Sequence, residues 1–301
     1  MSSQNSNQLF AEIKTDFVIS WQALKENWKA FIGTEIFGFV ALIVTTLATG
    51  LVLILLSFVL TSSFPNFFDL EPRRSNFFLT FFGLMLFFAF LSCQYGLAYD
   101  IMSSGDMFAE FKGAFTYFRR HWFHYIILTF LVGWIQTLFH PETLVLQILI
   151  RRWVVPLGSI DILYGVLLLI SRFLWFVVFI NALPSITAQG SFKQSFIENY
   201  RILRKHPKRL VITWGIFFCI FSIPSFILSV IEIMFFDQLI NSIWGLLLTI
   251  LVVTSSLVGI LLGTPMTALI ATRMYNSVEF DRYNPPKHFK EVDKNLQMSK
   301  K

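Results

Sequence analysis

Charge is scarce in this chain: Asp, Glu, Lys and Arg together fill only 14% of its 301 positions, and it has just two cysteines. It also lacks a glycine-rich phosphate loop, a Walker A sequence, a GxSxG elbow and an HExxH pair. Each absence excludes something. So few charges cannot cover the surface of an ordinary soluble domain. Cys93 and Cys219 both fall inside apolar segments, so no disulfide framework is implied and they read as small core residues. The missing motifs remove the common routes to nucleotide binding, serine hydrolysis and zinc-peptidase chemistry. No cofactor and no metal is therefore expected, and the enzyme question stays open, with catalysis inside the membrane the least supported reading. Residues 1–28 carry scattered charges and no unbroken apolar run, so a cleaved secretory signal is not expected either.

What is abundant is apolar surface, with 55% hydrophobic residues and 36 phenylalanines. Six apolar stretches are long enough for a hydrocarbon core of roughly 30 Å: 31–60, 77–102, 122–139, 160–183, 210–234 and 243–272. The expected fold class is all-α, a polytopic membrane protein of six transmembrane helices. The net charge of +6 is unevenly distributed. If both termini are cytoplasmic, only Arg73, Arg74, Arg151 and Arg152 fall on the opposite side, while Arg172 lies within the fourth span. That bias predicts N-in and C-in topology. Anionic lipid head groups are then the natural partner of the basic side, and nucleic acid is not.

Three fifteen-residue windows share one register: FVISWQALKENWKAF from Phe17, FKGAFTYFRRHWFHY from Phe111 and FIENYRILRKHPKRL from Phe196. Phe17, Phe111 and Phe196 align, as do Trp21, Phe115 and Tyr200, and Leu24, Phe118 and Leu203. Bases follow at Lys25, Arg119 and Arg204; then come Asn27, His121 and His206, and Trp28, Trp122 and Pro207. Each window precedes a pair of spans, which divides the chain into repeat units 1–104, 105–189 and 190–278 and a basic cytoplasmic tail 279–301. Apolar spacing within the windows is helical, as in Phe10, Ile13, Phe17, Trp21, Leu24 and Trp28. Such helices belong in the plane of the interface, with Phe17, Trp21, Phe111, Phe115, Phe118, Trp122, Phe196 and Tyr200 as a lipid-facing stripe of anchors. Gly105-Asp106 and Gly190-Ser191 mark helix starts, and Asn27, His121 and His206-Pro207 mark where the chain turns from lying flat to crossing.

Ionisable residues inside spans are the best pointers to function in a membrane, because each costs at least ~2.5 kcal/mol at the helix centre. Arg172 is the clearest, either as an anion or head-group contact in a cavity or as a structural partner of a carboxylate or helix-end carbonyls. Glu35, Asp100 and Glu232 sit near span ends and read as interfacial. Gln94 and Asn181 read as hydrogen-bonding glue between helices. His121 and His124 stand at i, i+3, but no third ligand follows and a metal is not expected.

The repeated amphipathic helix, Phe-x-x-x-aromatic stripe, basic turn and helical hairpin over residues 10–275 resemble the membrane domain joined to some bacterial glycerophosphodiester phosphodiesterases, and stand-alone uncharacterised multi-pass families of that build. The resemblance implies architecture, a link to lipid or envelope biology and the plasma (inner) membrane of a prokaryote. No hydrolase domain is legible in these residues, so that activity does not transfer. The function expected is a membrane-organising or accessory protein that acts through its interfacial helices on lipids and on other membrane proteins. The alternative is a transporter or channel for a lipid-like or anionic solute using Arg172.

Overall fold

A computed structural model describes residues 3–63, 91–104, 109–139, 176–221 and 258–279, with single positions near 170–174 and 247–254. Side chains are described from residue 9 onward in the first segment, but beyond 41 only at 43, 44, 47, 48, 51 and 55. They are likewise omitted at 104, 129–139, 260 and 278–279. Residues 64–90 and 140–169, the basic tail beyond 279, and Arg172 and Glu232 lie outside this description.

Every regular element among the described residues is helical. In chain order they are α1 (Ser3–Ser63), α2 (Gln94–Tyr99) with a π-helical turn at Asp100–Ser104, and α3 (Phe111–Phe139). Then follow α4 (Ala182–Gln189), α5 (Phe192–Lys205), α6 (Pro207–Phe221), a second π turn at Gly259–Gly263 and α7 (Thr264–Glu279). Among the described residues no helix is long and apolar enough to cross a membrane.

The centre of the fold is α7, in which residues 265–276 are all buried. A helix buried on every side is part of a core rather than a surface. Around it pack α1, α2, α4 and α5, and α2 is itself buried from Gln94 to Ala98. Alanines at 23, 30, 98, 114, 182, 268 and 271 lie in this core and let helix backbones approach closely. At Gly96 the approach is closest, since a Cβ there would lie 2.2 Å from the Tyr117 ring on α3.

The helix boundaries follow local chemistry at two of the three expected turning points. Asn27 leaves helical geometry at φ −112° and ψ 16°, and kinks α1. Its Nδ2 donates to the Ala23 carbonyl at 2.9 Å, and its Oδ1 accepts from the Ala109 N–H at 2.8 Å, tying the kink to the start of α3. His206 ends α5 in a non-helical conformation, and Pro207 opens α6, where the missing N–H costs nothing. The expectation fails at His121: α3 runs unbroken through it. His121 is followed by Trp122, which can continue a helix, not by a proline, and its buried ring packs beside Tyr117 and Tyr125 on the helix's inner face. Of the helix starts, Gly190-Ser191 holds. Gly190 adopts the left-handed φ of 67° that closes α4, and extended Ser191 opens α5. Asp106 lies outside the described residues, and the helix that follows it begins at Phe111.

Candidate functional site

In α1 the buried side chains form a stripe that the aromatic pattern concealed. Asp16, Ser20, Ala23, Asn27, Ala30 and Thr34 are all at most 5% exposed and recur at steps of four and three. Phe10, Trp21 and Trp28, the large residues of the expected stripe, face outward, with Ile13 and Leu24 buried and Phe17 partly buried. The small and polar face of this helix is thus turned inward.

That inward face brings Asp16 to two arginines. Arg209 on α6 donates through Nη2 at 2.7 Å and Nε at 3.2 Å to Asp16 Oδ2. Arg273 on α7 donates through Nε to Asp16 Oδ1 at 2.8 Å. All three residues are buried, and Glu12 adds a looser contact to Arg209 Nη1 at 3.5 Å. Two cations and one fully buried carboxylate thus lock the first, sixth and seventh helices together. A second polar centre forms around Glu198 on α5. Its carboxylate accepts from the Ser185 hydroxyl, the Gln189 amide and, at 2.9 Å, the Tyr275 hydroxyl. Burial, followed by the bond to Glu198, pushes the Tyr275 hydroxyl well above the ordinary phenol range, so it remains a donor.

Glu198 also lies at the edge of an open depression of about 560 Å³ at the corner where α4 meets α5. Gln189 and Ser191 border it on one side, and Lys193, Gln194, Ile197 and Arg201 line the α5 side. Lys193, Ile197 and Arg201 are four residues apart, so they share one helix face. Among the described residues no group of His, Cys, Asp and Glu could hold a metal ion.

The residues singled out in the sequence scatter. Glu35, expected at the interface, is instead completely buried and accepts from Gln94 Nε2 at 3.1 Å, so α1 and α2 are joined by the amide glue foreseen for Gln94. Asp100 accepts from the Tyr117 hydroxyl at 2.5 Å across the α2–α3 corner. Asn181 is 1% exposed at the start of α4, and its side-chain amide has no hydrogen-bond partner among the described residues, so the interhelical glue foreseen for it is not found there. Cys93 is buried as expected, but Cys219 is exposed on the outer face of α6.

The aromatic anchors divide into two sets. Trp21, Trp122 and Tyr200 are 49–64% exposed. Phe17, Phe118 and Phe196 pack against the core, and Phe111 and Phe115 pack on each other and on Phe37 of α1. The stripe is not one lipid-facing row, because helical residues three and four apart fan across about 100° and the inner half of that arc meets the bundle. His121 is buried with neither ring nitrogen bonded among the described residues, and it lies against Gly190. Burial, then the charges of Arg120 and His124, hold it below the usual imidazole range.

Sequence reasoning missed Asp16, Glu198, Arg209 and Arg273. In the charge distribution Arg209 and Arg273 fall on the side expected to be cytoplasmic. A signal was present: Asp16 opens a run of small and polar residues at helical spacing, which inside an otherwise apolar chain marks a protein-facing side. No protein-family model, curated protein or solved structure matches this chain.

Proposed function

We propose that this is a polytopic integral membrane protein, N-in and C-in, which organises or supports a membrane by laying basic, aromatic helices on an anionic lipid surface. The observation that carries this reading is the outer face of α1. Ile36, Val40, Ile43, Val44, Leu47, Leu51 and Leu55 are all 49–69% exposed and share one side of an unbroken helix. From Ile36 to Leu55 this face extends roughly 28 Å at 1.5 Å per residue; it supports a lipid-facing side even though no described helix is by itself long and apolar enough to cross a membrane. No charged residue occurs in the sequence between Glu35 and Asp69. Water would oppose a continuous apolar face of that length, whereas lipid would solvate it.

The basic surface supports the second half of the proposal. Every lysine whose side chain is described is exposed, and so are Arg119, Arg120, Arg201 and Arg204. Among the described acids only Glu26 and Glu110 are exposed, so the surface has a strong positive excess. Exposed Trp21, Trp28, Trp122 and Tyr200 are interspersed with these cations, and Lys29 lies 5.9 Å over the Trp28 ring. Aromatic rings beside lysine and arginine suit head-group depth, and each cation near an anionic surface contributes about 1 kcal/mol of attraction. The inward turn of Asp16, Ser20, Asn27 and Thr34 agrees with this, because a membrane protein places its polar residues inside.

Alkaline carbonate extraction of membranes containing the full chain, combined with impermeant thiol labelling of Lys205→Cys in a background lacking Cys93 and Cys219, tests the proposal. The protein should stay in the membrane pellet, and position 205 should be labelled only after the cytoplasmic face is opened. Release into the supernatant, or labelling of position 205 in intact cells, overturns it. For the organising role, Trp21, Trp122 and Tyr200 replaced together by Ser should reduce deformation of anionic vesicles. An unchanged vesicle shape rejects that role.

A further inference from the structure

The depression at the α4–α5 corner has features that a general basic surface does not need. Its two cations, Lys193 and Arg201, stand eight residues apart on one face of α5, about 12 Å along the axis. Both line the depression and are exposed. Midway between them Ile197 is 48% exposed. Gln189, Ser191 and Gln194 add amide and hydroxyl groups around the same space.

Glu198 offsets only one of these two positive charges, and its carboxylate is engaged within the corner. Its oxygens are taken by Ser185, Gln189 and Tyr275, and only 4% of the residue is exposed. It works as a fixed strut, joining α4, α5 and α7 so that the corner keeps its shape. The charged residues lining the space sum to one net positive charge, which matches the single negative charge of a phosphodiester.

We propose that this depression binds the phosphodiester head group of an anionic phospholipid, with Lys193 and Arg201 on the phosphate oxygens and Ile197 against the glycerol and first acyl carbons. The site is specified on the membrane reading given above. A lipid is the chosen source rather than a free phosphate because the two cations flank an exposed apolar residue, and exposed Tyr200 follows on the same helix. A free phosphate would have no use for either.

The test uses the full-length protein in phosphatidylcholine nanodiscs with phosphatidylglycerol added at increasing mole fraction, and counts retained phosphatidylglycerol by native mass spectrometry. One saturable site is expected. Lys193→Glu/Arg201→Glu should weaken it about tenfold or more, while Arg204→Glu/Lys205→Glu, the same charge change on the same helix outside the depression, should weaken it less than threefold. Both pairs are exposed, so both variants should fold, which circular dichroism checks. Equal losses in the two variants overturn the site but leave the basic-surface reading standing. Saturable binding of glycerol 3-phosphate alone, at an affinity matching the lipid's, overturns the lipid source. Failure of the protein to enter nanodiscs at all overturns the membrane reading along with the site.

Discussion

Asp16 accepts a hydrogen bond from Arg209 at 2.7 Å although 193 residues of sequence separate them, and Arg273, 257 residues away, holds the other carboxylate oxygen. This junction draws the beginning, the later part and the end of the described chain into one core. It also sets a stability requirement. Removing one member of a buried charge cluster leaves the others uncompensated, which costs far more than the cluster itself contributes.

Asp16→Asn should therefore destabilise the protein by about 3 to 5 kcal/mol, and a triple variant replacing Asp16, Arg209 and Arg273 with Leu, Met and Met should recover most of that loss. Denaturation in detergent or mixed micelles, followed by helical signal, measures both. A neutral Asp16→Asn would mean that the arginines are satisfied without the carboxylate.

Gly96 and Gly113 lie on facing parts of α2 and α3 but predict opposite outcomes. A methyl group at Gly96 would meet Tyr117 Cγ at 2.2 Å and its Cβ at 2.7 Å, atoms that cannot swing away. Gly96→Ala should cost about 1 to 3 kcal/mol by overpacking. At Gly113 the nearest atom is Leu97 Cδ2 at 3.4 Å, an ordinary contact, so Gly113→Ala should leave stability unchanged or raise it. Parallel thermal melts decide, and equal losses would contradict the packing at Gly96.

His121 makes the fold sensitive to acid. Its folded-state pKa is held below the ordinary 6.5, first by burial and then by Arg120 and His124, so the folded protein favours the neutral ring. For such a depressed group the stability is fully present above pH 6.5, the unfolded value, and is lost as pH falls toward the folded pKa. His206 shifts in the same direction but is exposed, so its share is screened. Melting temperature should be level above neutrality and fall in mild acid. His121→Leu should flatten most of that fall, and an undiminished pH slope in the variant would exclude His121 as its source.

Leu47 sits midway along the outer face of α1 and is 69% exposed. If lipid covers this face, Leu47→Arg should oppose insertion by about 2.5 to 3.5 kcal/mol, seen as a reduced inserted fraction in a glycosylation-mapping or carbonate assay. On a water-facing surface the same change would be harmless or would improve solubility, and that outcome would count against the membrane reading.

The helical character of residues 10–28 and 111–122, the kink at Asn27, the boundary at Gly190-Ser191 and the restart at Pro207 were all legible in the sequence. Each depends on interactions within a few residues: periodic apolar side chains, a glycine that tolerates positive φ, a proline whose missing N–H suits a first turn. His121 was misread because the column alignment carried a break from Asn27 and His206 to a position with no local helix breaker. Asn27 is held at its kink by the Ala109 N–H just ahead of α3, and among the described residues His121 has no such hydrogen bond.

Which partner each inward face meets was decided by tertiary structure. Large aromatics drew attention to Phe17, Trp21 and Phe118, yet the helices meet through Asp16, Ser20, Ala23 and Asn27 on one side and Gly96, Ala98 and Ala114 on another. Periodicity identifies a stripe but not its partner, and when the surroundings are themselves apolar, hydrophobicity no longer separates inside from outside. Local sequence therefore determined where this chain is helical and where it turns. Only the packed bundle could bring a carboxylate at position 16 to arginines at 209 and 273, because nothing short-range in a sequence encodes a contact between residues so far apart.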